Sequence, residues 1–518
     1  MLLSKQLNKG SRKKNSILLT TVVVVFITLC GKLLGFVREA FVASCYGASY
    51  ISDVYVLESG IVNAVCTILL CVVTTAFIPL YMGRKSKGEA TQFARNAFYG
   101  FFLIGALVSF ALCLVPEAIL QFVAPGFLVM YSGEQLAIIL LSIQVSMVNI
   151  LLLLLQGLFR ALMQTHDKMF VAASQAIIFN VLLIVYLVFL SNYGLLGITV
   201  AMFAAQVVIA LIFFVRVIAS GMLILKKTTF GSVKSDFKEM FSLALPVIFM
   251  SILSQASYIV DRSVASGFDE GTMALIGYAS TLALAVHALF SESINNVVYP
   301  KLSSCVAEGD RSGFLELANS SIFLACLLIA PLLITMLCGA QTIIEVVYYR
   351  GSFTYENVQT TTVFLMLYLP GVFFFYLRDL MNRFCYAQRN SKLPSICAVI
   401  GFVLTIVLNL TIPRFCGAMG IVIATSLAAI IACLIEVIVI YKEKLLVWSK
   451  LSLKLFGVVG LAFMVSFAGT MGVFLVSAEM YPIVKILIML AGSYASYCVV
   501  AVLLGRSFFA PTLERLSK

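Results

Sequence analysis

Charge is what this chain has least of. Of its 518 residues, 11% are Asp, Glu, Lys or Arg and 62% are hydrophobic, and the mean hydropathy is +1.08. A water-soluble domain needs a charged surface, so that class is excluded. Short segments of alternating hydropathy are also missing, which excludes a transmembrane barrel. There are two histidines, His166 and His287. The thirteen cysteines are scattered through apolar runs, as at Cys66, Cys71 and Cys113, with no zinc-site spacing. Their expected role is that of small buried hydrophobes. The sequence has no P-loop, no GxGxxG after a strand, no GxSxG and no HExxH. Catalysis, ATP coupling by the chain itself, a metal and a cofactor are therefore not expected.

What is present is a series of apolar runs of about 20 residues, each long enough to cross about 30 Å of hydrocarbon. The pattern predicts an all-α polytopic membrane protein of about fourteen transmembrane helices. The net charge of +12 does not call for nucleic acid, because its placement follows the membrane. With fourteen spans and a cytoplasmic N-terminus, the inner loops and termini hold 28 of the 35 Lys and Arg residues. That asymmetry predicts both termini in the cytoplasm. The basic start (Lys5, Lys9, Arg12, Lys13, Lys14) leads into an apolar run too long for a signal core, so an uncleaved first helix is expected.

The chain repeats itself. AFIPLYMGRKSKGEATQF (76–93) aligns with VVYPKLSSCVAEGDRSGF (297–314), and Pro79 and Pro300 are 221 residues apart. Val42–Ser44 recurs at Val264–Ser266, Gln164 and Lys168 recur as Gln388 and Lys392, and GLLGI (194–198) recurs as GAMGI (417–421). A near-constant offset means a duplicated unit of six spans. Six is even, so both copies run the same way through the membrane. The expectation is two parallel six-helix lobes around a central cavity, residues 1–225 and 226–445, with two further helices and a tail over 446–518. The basic stretch 226–240 is the expected linker. Repeats of this kind mark transporters, with the substrate between the lobes.

A charge at mid-bilayer costs between about 3 and about 15 kcal/mol, so it persists only where it has a partner or a wet cavity. The first lobe carries Lys32, Arg38, Glu39, Asp53 and Glu58 at such depths. The second carries Asp261, Arg262, His287 and Glu292, with Arg378 and Asp379 in the tenth span. A guanidinium binds phosphate oxygens in a planar fork and stays charged when partly dehydrated. Arg38 therefore suits a phosphate or pyrophosphate headgroup, with Lys32 as a second point charge. Lys32 and Glu39 are seven apart and share a helix face, while Arg38 lies off it. Asp261 is the candidate for holding a coupling cation or proton. Gly31 and Gly35 form a GxxxG pair read as close helix packing, and Pro246 is expected to kink the seventh span.

At this point several motifs converge. LLGFVREAFVASCYGAS…SD, AFIPLY, VAPGF, YIVDRSVASGFDEG…GYA, YPKLS and YYRGSFT (348–354) stand in an order that resembles the lipid II flippases, the MurJ/MviN family. That family belongs to the multidrug/oligosaccharidyl-lipid/polysaccharide exporter superfamily. The resemblance runs over nearly the whole chain. It implies a flippase that moves a polyprenyl-pyrophosphate-linked saccharide from the inner to the outer leaflet by alternating access, for cell-wall synthesis. It implies a bacterial cytoplasmic membrane, a lipid bilayer setting, and membrane potential or a cation gradient as the driving force. Partners among cell-envelope biosynthesis proteins would be expected, and no nucleic acid. The implied substrate-binding set is Arg38, Lys32, Glu39, Asp53, Asn63 and Arg262. The family usually carries arginine near Cys66 and near Thr281, and this chain does not. That departure favours, as a rival, a relative that moves another lipid-linked glycan. A cation-coupled drug antiporter of the same superfamily would need an acidic cavity in place of Arg38, Lys32 and Arg262. A non-transporting membrane scaffold would tolerate charge substitutions.

Overall fold

The computed structural model describes the backbone at residues 2–293, 298–443, 445–446, 450–477 and 480–517, and side chains over 23–288, 298–443, 445–446, 457–477 and 480–504. The side chain of Glu292 and the basic N-terminal segment lie outside the described side chains. Among the described residues the secondary structure is helical, with no strand. Among the described residues, eleven helical runs are long and apolar enough to cross a membrane. One of them, Met169–Ala219, holds two long helices separated at Gly194. That glycine takes φ +64°, a left-handed conformation that costs other residues strain. Packing divides the chain into two compact units, Met1–Gly271 and Thr272–Lys518.

The first unit holds α1 (Leu2–Tyr46), α2 (Tyr50–Val72), α3 (Ala90–Cys113), α4 (Gly133–Gln164), α5 (Gln175–Leu190), α6 (Gly194–Ala219) and α7 (Phe230–Ala265). Helix α2 continues through a π-helical turn, Val73–Phe77, into a further helix, Ile78–Lys85. Pro79 lies just beyond the turn and has no N–H to give to the carbonyl four residues back. A π turn is a common way for a helix to absorb such a fault. Pro246 sits within the continuous helix α7. The stretch 226–240 enters α7 at Phe230, so 11 of the 15 residues of the expected linker are helix.

In lipid, helices gain little from excluding water, so close packing and internal hydrogen bonds hold them together. Both are visible. A Cβ added at Gly31 would lie 3.0 Å from the Ala176 Cβ, and one at Gly35 would lie 3.4 Å from the Asn180 amide nitrogen. The GxxxG pair is therefore the face of α1 that meets α5. An aromatic core joins α2, α3, α4, α6 and α7. Phe77 stacks on Phe93 at 5.5 Å between centroids, and Phe101 meets Phe237 edge-on at 5.1 Å.

The second unit holds α8 (Thr272–Ser293), α9 (Arg311–Cys338), α10 (Tyr355–Ala387), α11 (Lys392–Thr411), α12 (Met419–Lys442), α13 (Lys450–Val476) and α14 (Pro482–Ser517). Asp310 caps α9 by accepting the Gly313 N–H at 2.8 Å, and Thr354 caps α10 through Asn357. The pairings α2–α4, α3–α4, α4–α6 and α5–α6 recur six helices later as α8–α10, α9–α10, α10–α12 and α11–α12. The internal repeat in the sequence is thus also a repeat in packing. Helix α7 departs from it and packs on α2 and α3 of the first unit. The two additional helices, α13 and α14, dock on α9. Ser493 donates to the Pro331 carbonyl at 2.8 Å, and Ser466 donates to the Ser493 carbonyl at 3.0 Å.

Candidate functional site

Arg38 is the candidate headgroup ligand, and the structure gives its guanidinium three neighbours. Nη1 donates to Asn180 Oδ1 on α5 at 2.9 Å. Nη2 donates to Glu39 Oε1 at 2.5 Å. The plane lies 5.5 Å from the Phe179 ring centroid. Glu39 Oε1 also accepts from the Tyr55 hydroxyl on α2 at 3.2 Å, and Asn180 Nδ2 donates to the Gly31 carbonyl at 2.9 Å. Arg38 Nε is buried without a hydrogen-bond partner among the described residues. The group is thus a pre-positioned, charge-compensated fork whose Nε–H is still open. Helical spacing set Arg38 and Glu39 on different faces. The long arginine stem closes that gap, and the neighbours bond directly.

Lys32 is exposed on α1, as is Asn63 on α2. Asp261 and Arg262 are half-buried near the end of α7, and Arg262 lies 4.8 Å from the Tyr258 ring centroid. Asp53 is elsewhere in chemical terms. It is 2% exposed, and its Oδ2 accepts the Gly271 N–H at 2.7 Å. Next to it, Glu270 accepts the Tyr50 N–H at 2.8 Å. Gly271 has φ +85°, and a Cβ there would lie 2.6 Å from the Ala48 backbone. Asp53 therefore ties the start of α2 to the turn after α7. Tyr131 joins this end, packing on Tyr50 and Phe127. Burial pushes its phenol well above the usual range, and the charges of Glu270 and Asp53 push the same way.

The motifs that carried the resemblance turn out to touch one another. VAPGF meets VASGF where the Gly126 N–H donates to Ser266 Oγ at 3.2 Å. GYA meets YYRGSFT where Tyr348 donates to the Tyr278 carbonyl at 3.3 Å, with Phe353 completing the cluster. These motifs hold turns and helix ends together. Cys66 is buried, with its thiol 3.9 Å from the Ile150 carbonyl. The Thr281 hydroxyl bonds back to the Gly277 carbonyl. Both positions are neutral and satisfied locally.

Three polar clusters have no place in the expected substrate-binding set. Glu58, fully buried, lies within hydrogen-bond distance of the Ser146 and Thr199 hydroxyls. Arg84 forks between Asp236 and Glu239 on α7 and covers Phe93 at 4.2 Å, while Asn96 donates to Asp236 at 2.7 Å. In the second unit Arg378 donates through Nε to Glu436 on α12 at 3.0 Å, and its neighbour Asp379 meets His287 on α8 at 3.0 Å. Adjacent residues on a helix point about 100° apart, so each serves a different partner helix. The available signal for these clusters was a polar residue inside an apolar run, as at Asn96 and Glu436.

The sequence profile of the lipid II flippase MurJ family matches residues 42–493. A "Probable lipid II flippase MurJ" of Rickettsia prowazekii is 22% identical over 414 residues, covering 79% of this chain and 80% of the relative. The protein of the same name from Vibrio cholerae is 24% identical over 420 residues, covering 79% and 80%. Among solved structures, a lipid II flippase MurJ in an inward closed conformation superposes with a TM-score of 0.80 at 23% identity, over 94% of this chain and 99% of that one. An inward-facing multidrug resistance MATE transporter of the MOP superfamily shares the fold more distantly, with a TM-score of 0.62 at 13% identity, over 82% and 98%.

Proposed function

This chain belongs to the lipid II flippase MurJ family, and from that membership we propose that it carries lipid II from the inner to the outer leaflet of a bacterial cytoplasmic membrane. The observation that carries this reading is the family match over residues 42–493. The protein acts as a transporter in peptidoglycan synthesis, by alternating access, and makes or breaks no covalent bond. Its termini face the cytoplasm, and membrane potential or a cation gradient drives the cycle, with Asp261 as the candidate to hold a coupling cation.

Arg38 engages the pyrophosphate, with Lys32 and Arg262 as further positive charges and Asn63 as a neutral contact. The compensated state of Arg38 suits a carrier. Asn180 and Glu39 hold the fork in place, which lowers the entropy lost on binding. Glu39 also weakens the net attraction, so the headgroup can leave. Asp53 supports the site by fixing the turn at Gly271. The test is complementation in bacteria depleted of their own lipid II flippase. The parent chain restores growth, and Arg38→Ala at equal membrane abundance does not. Failure of the parent, with the protein in the membrane, would assign it to another lipid-linked glycan, the reading that neutral Cys66 and Thr281 favour.

A further inference from the structure

Glu58 sits where α2, α4 and α6 meet, and its residue exposure is 0%. Ser146 Oγ lies 2.7 Å from Oε2. Thr199 Oγ1 lies 3.0 Å from Oε2 and 3.3 Å from Oε1. No described Lys, Arg or His lies within ion-pair distance of it. Ser142, also fully buried, is a third hydroxyl within hydrogen-bond reach of the carboxyl, and its one hydrogen is contested by the Ile139 carbonyl at 2.8 Å.

The hydrogens can be counted. Thr199 Oγ1 is also 3.0 Å from the Leu195 carbonyl of its own helix, and a hydroxyl has one hydrogen. An ionised Glu58 would have Ser146 as its one uncontested donor. An uncompensated buried carboxylate costs several kcal/mol, while a neutral hydroxyl bond returns about 1 kcal/mol. A carboxylic acid satisfies every group at once. Its O–H goes to Thr199, the Thr199 O–H goes to Leu195, and the Ser146 O–H goes to the carboxyl. From the other neighbours of α2, Tyr258 of α7 packs against Gly60 and carries Arg262 on its ring. Gly60 lies about 200° around the helix from Glu58, so these groups meet the opposite face. From α1, Arg38 and Glu39 reach Tyr55 and not Glu58.

We propose that Glu58 is a proton-binding site of the first unit, occupied in this conformation and emptied when α2, α4 and α6 part. Release sends one proton from the Glu58 carboxyl to water and leaves a carboxylate that the entering water solvates. A site that binds a proton in one conformation and not in another couples transport to the proton gradient. That coupling rests on the transport reading; the protonation state does not.

The test has two arms, both on the full chain. Infrared spectra of the protein in lipid nanodiscs at neutral pH are compared with those of Glu58→Gln and Thr199→Val. Glu58→Gln loses one protonated-carboxyl band. Thr199→Val keeps that band but shifts it to higher wavenumber, because the acid loses its acceptor. An unchanged spectrum in Glu58→Gln would overturn the proposal. In proteoliposomes with lipid II, an imposed pH gradient changes the parent's flipping rate severalfold and leaves Glu58→Gln unmoved. A gradient response in Glu58→Gln equal to the parent's would overturn the coupling. If the parent moves no lipid II, the substrate reading fails, and the infrared arm alone decides the proton site.

Discussion

Removing Arg84 should loosen α7 from the helix Ile78–Lys85 that continues α2, by an amount that the geometry sets. Nη1 donates to Asp236 Oδ1 at 2.6 Å, and the side chains are 24% and 12% exposed. Nη2 reaches Glu239, whose side chain is 45% exposed. Breaking a buried pair typically costs about 3 to 5 kcal/mol, because one charge is left uncompensated. Arg84 is partly wet, and Asn96 keeps its own bond to Asp236, so about 2 kcal/mol is expected for that arm. The Glu239 arm is screened by solvent and should contribute less than about 1 kcal/mol. Double-mutant cycles separate the two. Arg84→Met, Asp236→Asn and Glu239→Gln, alone and paired, would be followed by reversible unfolding in mixed micelles. The Arg84–Asp236 coupling should exceed the Arg84–Glu239 coupling at least twofold. Equal couplings, or an Asp236 coupling below about 0.5 kcal/mol, would refute the assignment of a buried tie here.

Gly126→Ala should destabilise the first unit by about 1 to 3 kcal/mol, since the new Cβ would lie 1.9 Å from the Ser266 carbonyl oxygen and backbone must move; unchanged thermal stability would contradict the contact. Arg378→Leu leaves Glu436, which is 0% exposed and already has one oxygen without a partner, as a lone buried carboxylate. The single variant should lose about 3 to 5 kcal/mol, and the double variant Arg378→Leu, Glu436→Leu should recover most of it. A double variant as unstable as the single would show that the pair is not what holds α10 to α12.

The membrane class was legible because hydropathy and loop charge depend only on composition along the chain, and the helices follow that pattern. The duplication was legible because offsets such as Pro79 to Pro300 survive in the sequence, and the packing pairs repeat with them. The allegiance of α7 was not. Its hold on α2 and α3 comes from Asp236 meeting Arg84 and from Phe237 meeting Phe101, contacts between residues more than a hundred positions apart. The close packing at Gly31 and Gly35 was readable from GxxxG, but its partner Asn180 was not, because a single asparagine in an apolar run has no periodic signal. Asp53, read as a site residue, also secures a turn through the Gly271 N–H, a bond that one sequence position gives no sign of. Arg38 and Glu39 were rightly placed together in the chain and wrongly kept apart in space, because face arithmetic ignores the reach of a long side chain.

The direct measurement is translocation in sealed liposomes holding the purified chain and a fluorescent lipid II, with dithionite quenching to report the accessible leaflet. If this chain moves lipid II, the parent equilibrates the probe between leaflets faster than protein-free vesicles do, and Arg38→Ala, folded to the same extent by unfolding midpoint, does not. A parent indistinguishable from empty vesicles would contradict the claim, and an Arg38→Ala variant as fast as the parent would remove Arg38 from the binding site.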